Sequence, residues 1–394
     1  MSAAAAMALE AIMPSRLGTV DPAAHPDEEF DLYSIPAFDA GEPEVAKGRQ
    51  IGSAKQVVKP GDVLLSRIVP HIRRAWVVGD DRGRRIIASG EWIVFRGPSI
   101  VPQYLRHVLV GDPFHAEFMH TVSGVGGSLL RARPAHVAKI RIPAPPLPEQ
   151  RRIAEILDKA DALRAKRRAA LAQLDTLTQS IFLDMFGDPI ANPQGWSKRK
   201  LTTLGSLDRG VSKHRPRNAP ELLGGPYPFV QTGDVANCGG YITDYSATYS
   251  EVGLRQSKMW PAGTLCITIA ANIAKTGILA FDACFPDSIV GFRSDEPGTV
   301  EFVRGWLSFL QASLEEKAPE SAQKNINLEI LRALEVPTPD ADLRMEFARR
   351  IAAVESLKSL DRDALSELDA LFASLQHRAF RGELERTDVC ELTA

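Results

Sequence analysis

Residues 145–189 read PPLPEQRRIAEILDKADALRAKRRAALAQLDTLTQSIFLDMFGDP. Pro148 suits a first helical position, where a missing N–H costs nothing, and Gly187 followed by Pro189 is a stop. Between them Ile156, Ala160, Leu163, Arg167, Ala170, Leu174, Leu177 and Ile181 alternate at spacings of four and three, the seam of a coiled coil. One long helix is expected, with a single charged seam position, Arg167.

The pattern returns near the C-terminus. Leu368-Asp369-Ala370-Leu371 echoes Leu174-Asp175-Thr176-Leu177, and Phe380-Arg381-Gly382 echoes Phe186-Gly187, an offset of 194 residues. Carried along the seam, the offset gives Arg350, Val354, Leu357, Asp361, Ala364, Leu368, Leu371 and Leu375, so Arg167 corresponds to Asp361. Upstream of each helix, Ile140 to Pro143 answers Leu334 to Pro337. Further up, Lys59-Pro60-Gly61-Asp62-Val63-Leu64 resembles Trp260-Pro261-Ala262-Gly263-Thr264-Leu265. The chain therefore reads as two copies of one unit, a mixed domain of short strands and turns followed by a long helix.

Bulk properties bound the class. A length of 394 residues suits two domains plus helical connectors, and 44% apolar with 24% charged residues is ordinary for a globular chain. No run of eighteen apolar residues is present to span a membrane. The start, MSAAAAMALEAIM, lacks a basic region before its apolar stretch and reads as a frayed leader, not a secretory signal. Cys238, Cys266, Cys284 and Cys390 show no CxxC spacing, so neither a zinc site nor a disulfide framework is indicated, and a cytoplasmic location is expected.

In order, Leu32 to Pro36, Val57 to Leu65, Ala75 to Val78, Arg85 to Ile87 and Trp92 to Phe95 read as strands, with helices at Val101 to Val110 and Phe114 to His120. The second copy offers strands at Tyr227 to Val230, Leu265 to Ile269, Gly277 to Phe281 and Ser288 to Phe292, and a helix from about Val300 to Glu316. The expected division is 1–146, first domain; 147–189, central helix; 190–340, second domain; 341–382, C-terminal helix; 383–394, tail.

Catalytic motifs are missing where they would be sought. The glycines at 124–127 lack the third glycine and setting of a dinucleotide loop, no GxxxxGK[ST] is present, and the histidines have no ligand spacing. A duplicated architecture with long helices and no recognisable active site is what a binding or scaffolding protein shows.

The stretch from Pro145 to Ala154, ending in Gln179 to Pro189, closely resembles the central region of the specificity subunits of type I restriction-modification enzymes. The resemblance runs over nearly the whole chain, including Pro60 to Arg67, Pro228 to Val235 and Gln323 to Asn327. It departs most where Asp342-Leu343-Arg344-Met345-Glu346-Phe347 replaces the proline-flanked Glu-Gln start. The resemblance implies an α+β protein: two β-rich target recognition domains in pseudo-two-fold arrangement, joined by two long antiparallel coiled-coil helices. Each domain would read half of a bipartite, asymmetric DNA site, and the helices would set the spacing. Modification subunits would dock on the helices, with a translocating restriction subunit as a further expected partner. Catalysis would belong to those partners, with S-adenosylmethionine, ATP and Mg bound by them and no cofactor in this chain.

Geometry fits that reading, because a helix from 149 to 186 is roughly 57 Å long, enough to separate half-sites about 34 Å apart. In an antiparallel pair, matching central positions face each other, so an Arg167 to Asp361 ion pair is expected to fix register. For DNA contact, cations suit phosphates and Arg, Asn, Gln, Ser and Thr suit base edges. The expected contacts are Ser66, Arg67, Arg73 and Arg74 in the first copy, with Arg82, Arg84 and Arg85 behind them. In the second they are Gln231, Thr232, Asn272, Lys275, Lys324 and Asn325, with Lys198 to Lys200 and Lys213 to Arg217 adding backbone contacts.

Two rivals remain at this level: a restriction or methylation enzyme with an unrecognised site, and a structural coiled-coil protein. Residues 1–146 hold 17 basic and 15 acidic side chains, and residues 190–340 hold 15 and 16. Neither domain is strongly basic, so weak duplex binding by the lone chain is expected, and its apolar helix faces should limit solubility.

Overall fold

Both long helices form close to the expected limits. The computed structural model describes residues 6–123, 130–270, 274–317 and 327–384, with helices at Leu147–Phe186 and Ala341–Arg381. Each is closed by a left-handed glycine, Gly187 at φ 74° and Gly382 at φ 73°, a conformation that a Cβ would strain. The chain divides into two compact units, one of residues 1–166 with 365–394 and the other of residues 167–364. Each long helix is therefore shared between the units; the first unit is assembled from two separate stretches of chain, and the second is continuous.

In the first unit a five-stranded sheet runs Thr19–Val20, Lys55–Val57, Arg85–Ala88, Glu29–Tyr33, Glu44–Lys47, with a parallel pairing between Glu29–Tyr33 and Arg85–Ala88. A three-stranded antiparallel sheet places Val63–Ser66 between Ala75–Val77 and Trp92–Phe95. The sequence reading of Val57 to Leu65 as one strand is corrected: Gly61, at φ 83°, breaks it into two. Ile35 and Pro36 start a short helix instead of ending a strand, because the Ser34 hydroxyl accepts the Ala37 N–H and caps it.

The second unit repeats the plan. Leu265–Thr268 sits between Ile289–Arg293 and Thr276–Leu279 in a five-stranded sheet, and the helix Thr299–Lys317 takes the place of Pro102–Val110. Packing is duplicated too. Tyr104 meets Phe380 edge-on at 6.1 Å, while Phe302 meets Phe186 edge-on at 4.9 Å.

The frayed-leader expectation is overturned from Ala6 onward, residues 1–5 lying outside the described residues. Ala6–Ala8 pairs with Arg141–Pro143, Leu9 and Ile12 are buried in the first core, and the Leu9 N–H donates to the Ile140 carbonyl. The second copy has the same device: Lys198–Lys200 pairs with Glu335–Pro337, Leu201 and Leu204 are buried, and the Leu201 N–H donates to the Leu334 carbonyl. The basic Lys198 to Lys200 run disguised the match, since a two-strand ribbon needs backbone pairing and not a common side-chain pattern.

The helix seam keeps one of its two expected rows. In the first unit Ile153, Ile156, Leu157 and Ala160 are buried on the central helix, Ile156 being a member of the other expected row that stays inside, and Leu375 and Ala379 are buried on the C-terminal one. In the second, Phe182 and Phe186 are buried, as are Phe347, Ile351, Val354 and Lys358. Leu163, Leu177, Leu357 and Leu371, expected in the seam, are 37–52% exposed. The adjacent row carrying Leu157, Arg164, Thr178, Ile351 and Lys358 turns inward in their place. Apolar spacing chose the leucines, whereas the polar members of the true row are satisfied by partners across the helix pair.

Candidate nucleic-acid interface

The site is built on the turn that precedes Val63–Ser66 in the first copy and Leu265–Thr268 in the second, the central strand of its sheet in each case. In the first copy Asp62 is 1% exposed, and Arg96 grips its carboxylate with Nε and Nη2, both at 2.6 Å. Its second oxygen also accepts the Lys59 N–H at 2.8 Å, closing the turn. In the second copy Thr264 does this work with its hydroxyl on the Pro261 carbonyl at 2.7 Å. The aspartate of the turn is thus structural, and the strand it launches delivers the loop from Arg67 to Arg74.

Within that loop the expected residues separate. Ser66 is buried and its hydroxyl donates to the Ile68 carbonyl. Arg74 is buried and bound through Nε and Nη2 to Asp39, at 2.8 and 2.9 Å, which holds that carboxyl below its usual range. These two serve the fold. Arg67 and Arg73 are partly exposed, with Arg67 Nε 3.8 Å from Glu91 and Arg73 Nη1 2.6 Å from Asp112. Arg84 is paired with Asp31 and Arg85 with Glu28, while Arg82 is exposed.

Sequence reasoning passed over two neighbours, Arg131 and Arg133. The Ala132 N–H donates to the Arg67 carbonyl at 2.8 Å, which brings this segment beside the loop. Arg131 Nη2 lies 3.1 Å from Glu91, so one carboxylate serves both Arg67 and Arg131, and Arg133 donates to the Ser123 hydroxyl. The result is a cationic face in which one acid balances two guanidinium groups. Its signal in the sequence was the basic run after the glycine loop; pairing to Ile68 could not be read there.

In the second copy Gln231 caps the helix Thr232–Asn237. Its N–H donates to Asp234 Oδ2 at 2.7 Å, leaving the exposed amide turned toward the Ser246 hydroxyl at 3.4 Å. Thr232 opens that helix and is partly buried. Lys275 follows Ala274, itself left-handed at φ 56°, and lines a cavity of about 340 Å³ with Arg304, Ser308, Thr178 and Lys358. Asn272, Lys324 and Asn325 lie outside the described residues. Arg215 and Arg217 share Asp287, and Arg199 is paired with Glu296.

In each unit a buried polar side chain at matching positions ties the domain to the long helix. Gln150, 1% exposed, accepts the Val101 N–H at 2.8 Å and donates to the Ser99 and Pro145 carbonyls. Its repeat mate is Arg344, 4% exposed, which reaches Glu296 at 2.9 Å and the Thr299 hydroxyl. The departure of the second helix from the Glu-Gln start is thus a change of residue within the same task. Arg106 on Asp158 and Asp161 adds a second tie in the first unit.

The structure brings Arg167 and Asp361 together, with Nη1 to Oδ1 at 2.5 Å. Among the described residues, no group of three or more His, Cys, Asp or Glu side chains is arranged to hold a metal, and no helix is long and apolar enough to cross a membrane.

Comparison with known proteins accords with this architecture. The family model for the type I restriction modification DNA specificity domain matches residues 116–173 and 193–368. The chain is 21% identical over 414 residues to the HindI specificity subunit of Haemophilus influenzae, covering 84% of this chain and 88% of that protein. It is 25% identical over 279 residues to the EcoBI specificity subunit of Escherichia coli, covering 62% of this chain but 58% of that protein's length. Among solved structures, the type I restriction-modification S subunit from M. genitalium aligns with a TM-score of 0.60 at 10% identity, over 95% of this chain and 96% of that one. A chain from a structure of type I R-M system assembly aligns at 0.53 and 20% identity, over 98% and 99%. The chain belongs to the type I restriction modification DNA specificity domain family, and its fold is that of these subunits.

Proposed function

We propose that this chain is the DNA sequence-specificity subunit of a type I restriction-modification complex. Each copy's domain reads one half of a bipartite, asymmetric site, and the long helices fix the separation of the halves and carry the modification subunits. The observation that carries the reading is the family match, which spans residues 116–173 and 193–368 and so takes in part of each copy; the two copies also share a left-handed glycine turn, at Gly61 and Gly263. In the first copy the contacts are made from the face of Arg67, Arg73, Arg131 and Arg133. In the second they are made from Gln231, Thr232 and Lys275, with Asn272, Lys324 and Asn325 as further contacts in this proposal. Catalysis, and with it S-adenosylmethionine, ATP and Mg, belongs to the partner subunits in this proposal, which also places the chain in the cytoplasm.

The test is selection of random duplex by the chain co-expressed with its methyltransferase subunit, followed by sequencing. Two short fixed blocks separated by an unread spacer are expected; an intact complex that recovers no motif would overturn the proposal. Removing a phosphate-binding arginine, as in Arg131→Ala, should lower the slope of log affinity against log salt by about 0.9 while leaving the recovered sequence unchanged.

A further inference from the structure

The repeat offset of 194 sorts the charges of the helix pair into two kinds. Arg164 Nε contacts Asp369 at 2.5 Å, and Lys358 Nζ contacts Asp175 at 2.9 Å. Arg164 and Lys358 are repeat mates, as are Asp175 and Asp369, so these two ion pairs are one contact made twice. Arg164 also lies over the Phe372 ring at 4.3 Å, and Lys358 is 1% exposed with Glu355 as a further partner at 3.0 Å. Arg167 and Asp361 differ in kind, because each is the other's mate.

That distinction governs which helices can pair. In an antiparallel pair of equivalent helices, the 164-type cation faces the 175-type acid whichever copy supplies either helix. A helix of first-copy sequence set against another of its kind would still place Arg164 opposite Asp175. The 167-type position faces its own counterpart. Two first-copy helices would therefore set Arg against Arg, and two second-copy helices Asp against Asp; only one helix of each kind gives an ion pair.

We infer that Arg167 and Asp361 make the helix face selective for its partner, admitting a helix with the opposite charge at the mate position and rejecting one of its own kind. The flanking pairs stabilise any antiparallel pairing, while the central pair supplies the repulsive element that specificity requires. The rule concerns the copy, so a second-copy helix fits the first whichever chain supplies it.

Single substitutions in the full chain reproduce the rejected centres. Asp361→Arg creates the Arg–Arg centre of a first-copy self-pair, Arg167→Asp creates the Asp–Asp centre, and the double substitution restores an ion pair in reverse. At low salt each single change should lower the folded-to-unfolded ratio in urea roughly tenfold, and the double variant should recover it. Arg167→Ala and Asp361→Ala should lose less than the like-charge variants. The differences should fade between about 0.01 M and 1 M salt, as the screening length falls from roughly 30 to 3 Å. Additive effects in the double variant would overturn the inference. So would alanine variants as unstable as the like-charge ones, which would leave attraction without rejection.

Discussion

At the scale of the residue, several positions act through what faces them. Gly305 packs on Phe182, and an added Cβ would sit 2.7 Å from its ring. The first copy resolves the same place differently, with His107 on the domain helix and Gln376 donating to its carbonyl. Gly305→Ala gains helix propensity but must displace a buried ring, so a net loss of about 1–2 kcal/mol is expected in chemical denaturation. Adding Phe182→Leu should recover part of it; a stabilised Gly305→Ala chain would show that the ring moves freely. Glu296 is held below the usual carboxylate range by Arg199 first and then Arg344. Its folded-state value lies below its unfolded one, so its stabilising contribution is present above about pH 4.3 and is lost as pH falls through the folded value. The stability gap between the wild type and Glu296→Gln should therefore narrow on acidification from about pH 6 to about pH 3.5; a constant gap would rule out Glu296 as the titrating group.

At the scale of the element, the sequence was most legible where glycine and proline punctuate it. Gly187, Gly382 and Gly61 mark helix ends and a turn because backbone geometry demands them, and the structure puts breaks at each. The seam was half legible. Leu163 and Leu177 satisfied apolar spacing, but the inward row includes Arg164, Thr178 and Lys358, whose partners lie on the other helix and are invisible to a local pattern. Leu157→Ala, at a fully buried position, should cost about 2–5 kcal/mol, whereas Leu163→Ala and Leu357→Ala should stay within about 1 kcal/mol in the isolated chain. Equal losses at all three sites would restore the seam read from spacing. For the interface, residue type alone could not separate Arg73, which is partly exposed, from Arg74, which is buried on Asp39.

At the scale of the whole molecule, the duplication was readable from the 194-residue offset, but its full extent was not. Ala6–Ala8 and Lys198–Lys200 share a role through backbone pairing while sharing no side chains. Nor does sequence proximity reveal that Leu375, Ala379 and Leu384 belong to the core built around Leu9, Val63 and Phe95. Removing residues 372–394 should therefore expose the first core while sparing the second. Amide exchange would show lost protection in Val63–Ser66 and Trp92–Phe95 with retention in Leu265–Thr268 and Ile289–Arg293; uniform retention would contradict the shared core.

The division of the chain into units also orders its birth. A nascent polypeptide emerges from its N-terminal side, yet the first unit lacks Leu375, Ala379 and Leu384 until after residues 167–364 have been made. The second unit is continuous in sequence and can close as soon as it clears the ribosome. The domain synthesised first is thus finished last, and during that interval its unfilled core is the surface most in need of a chaperone.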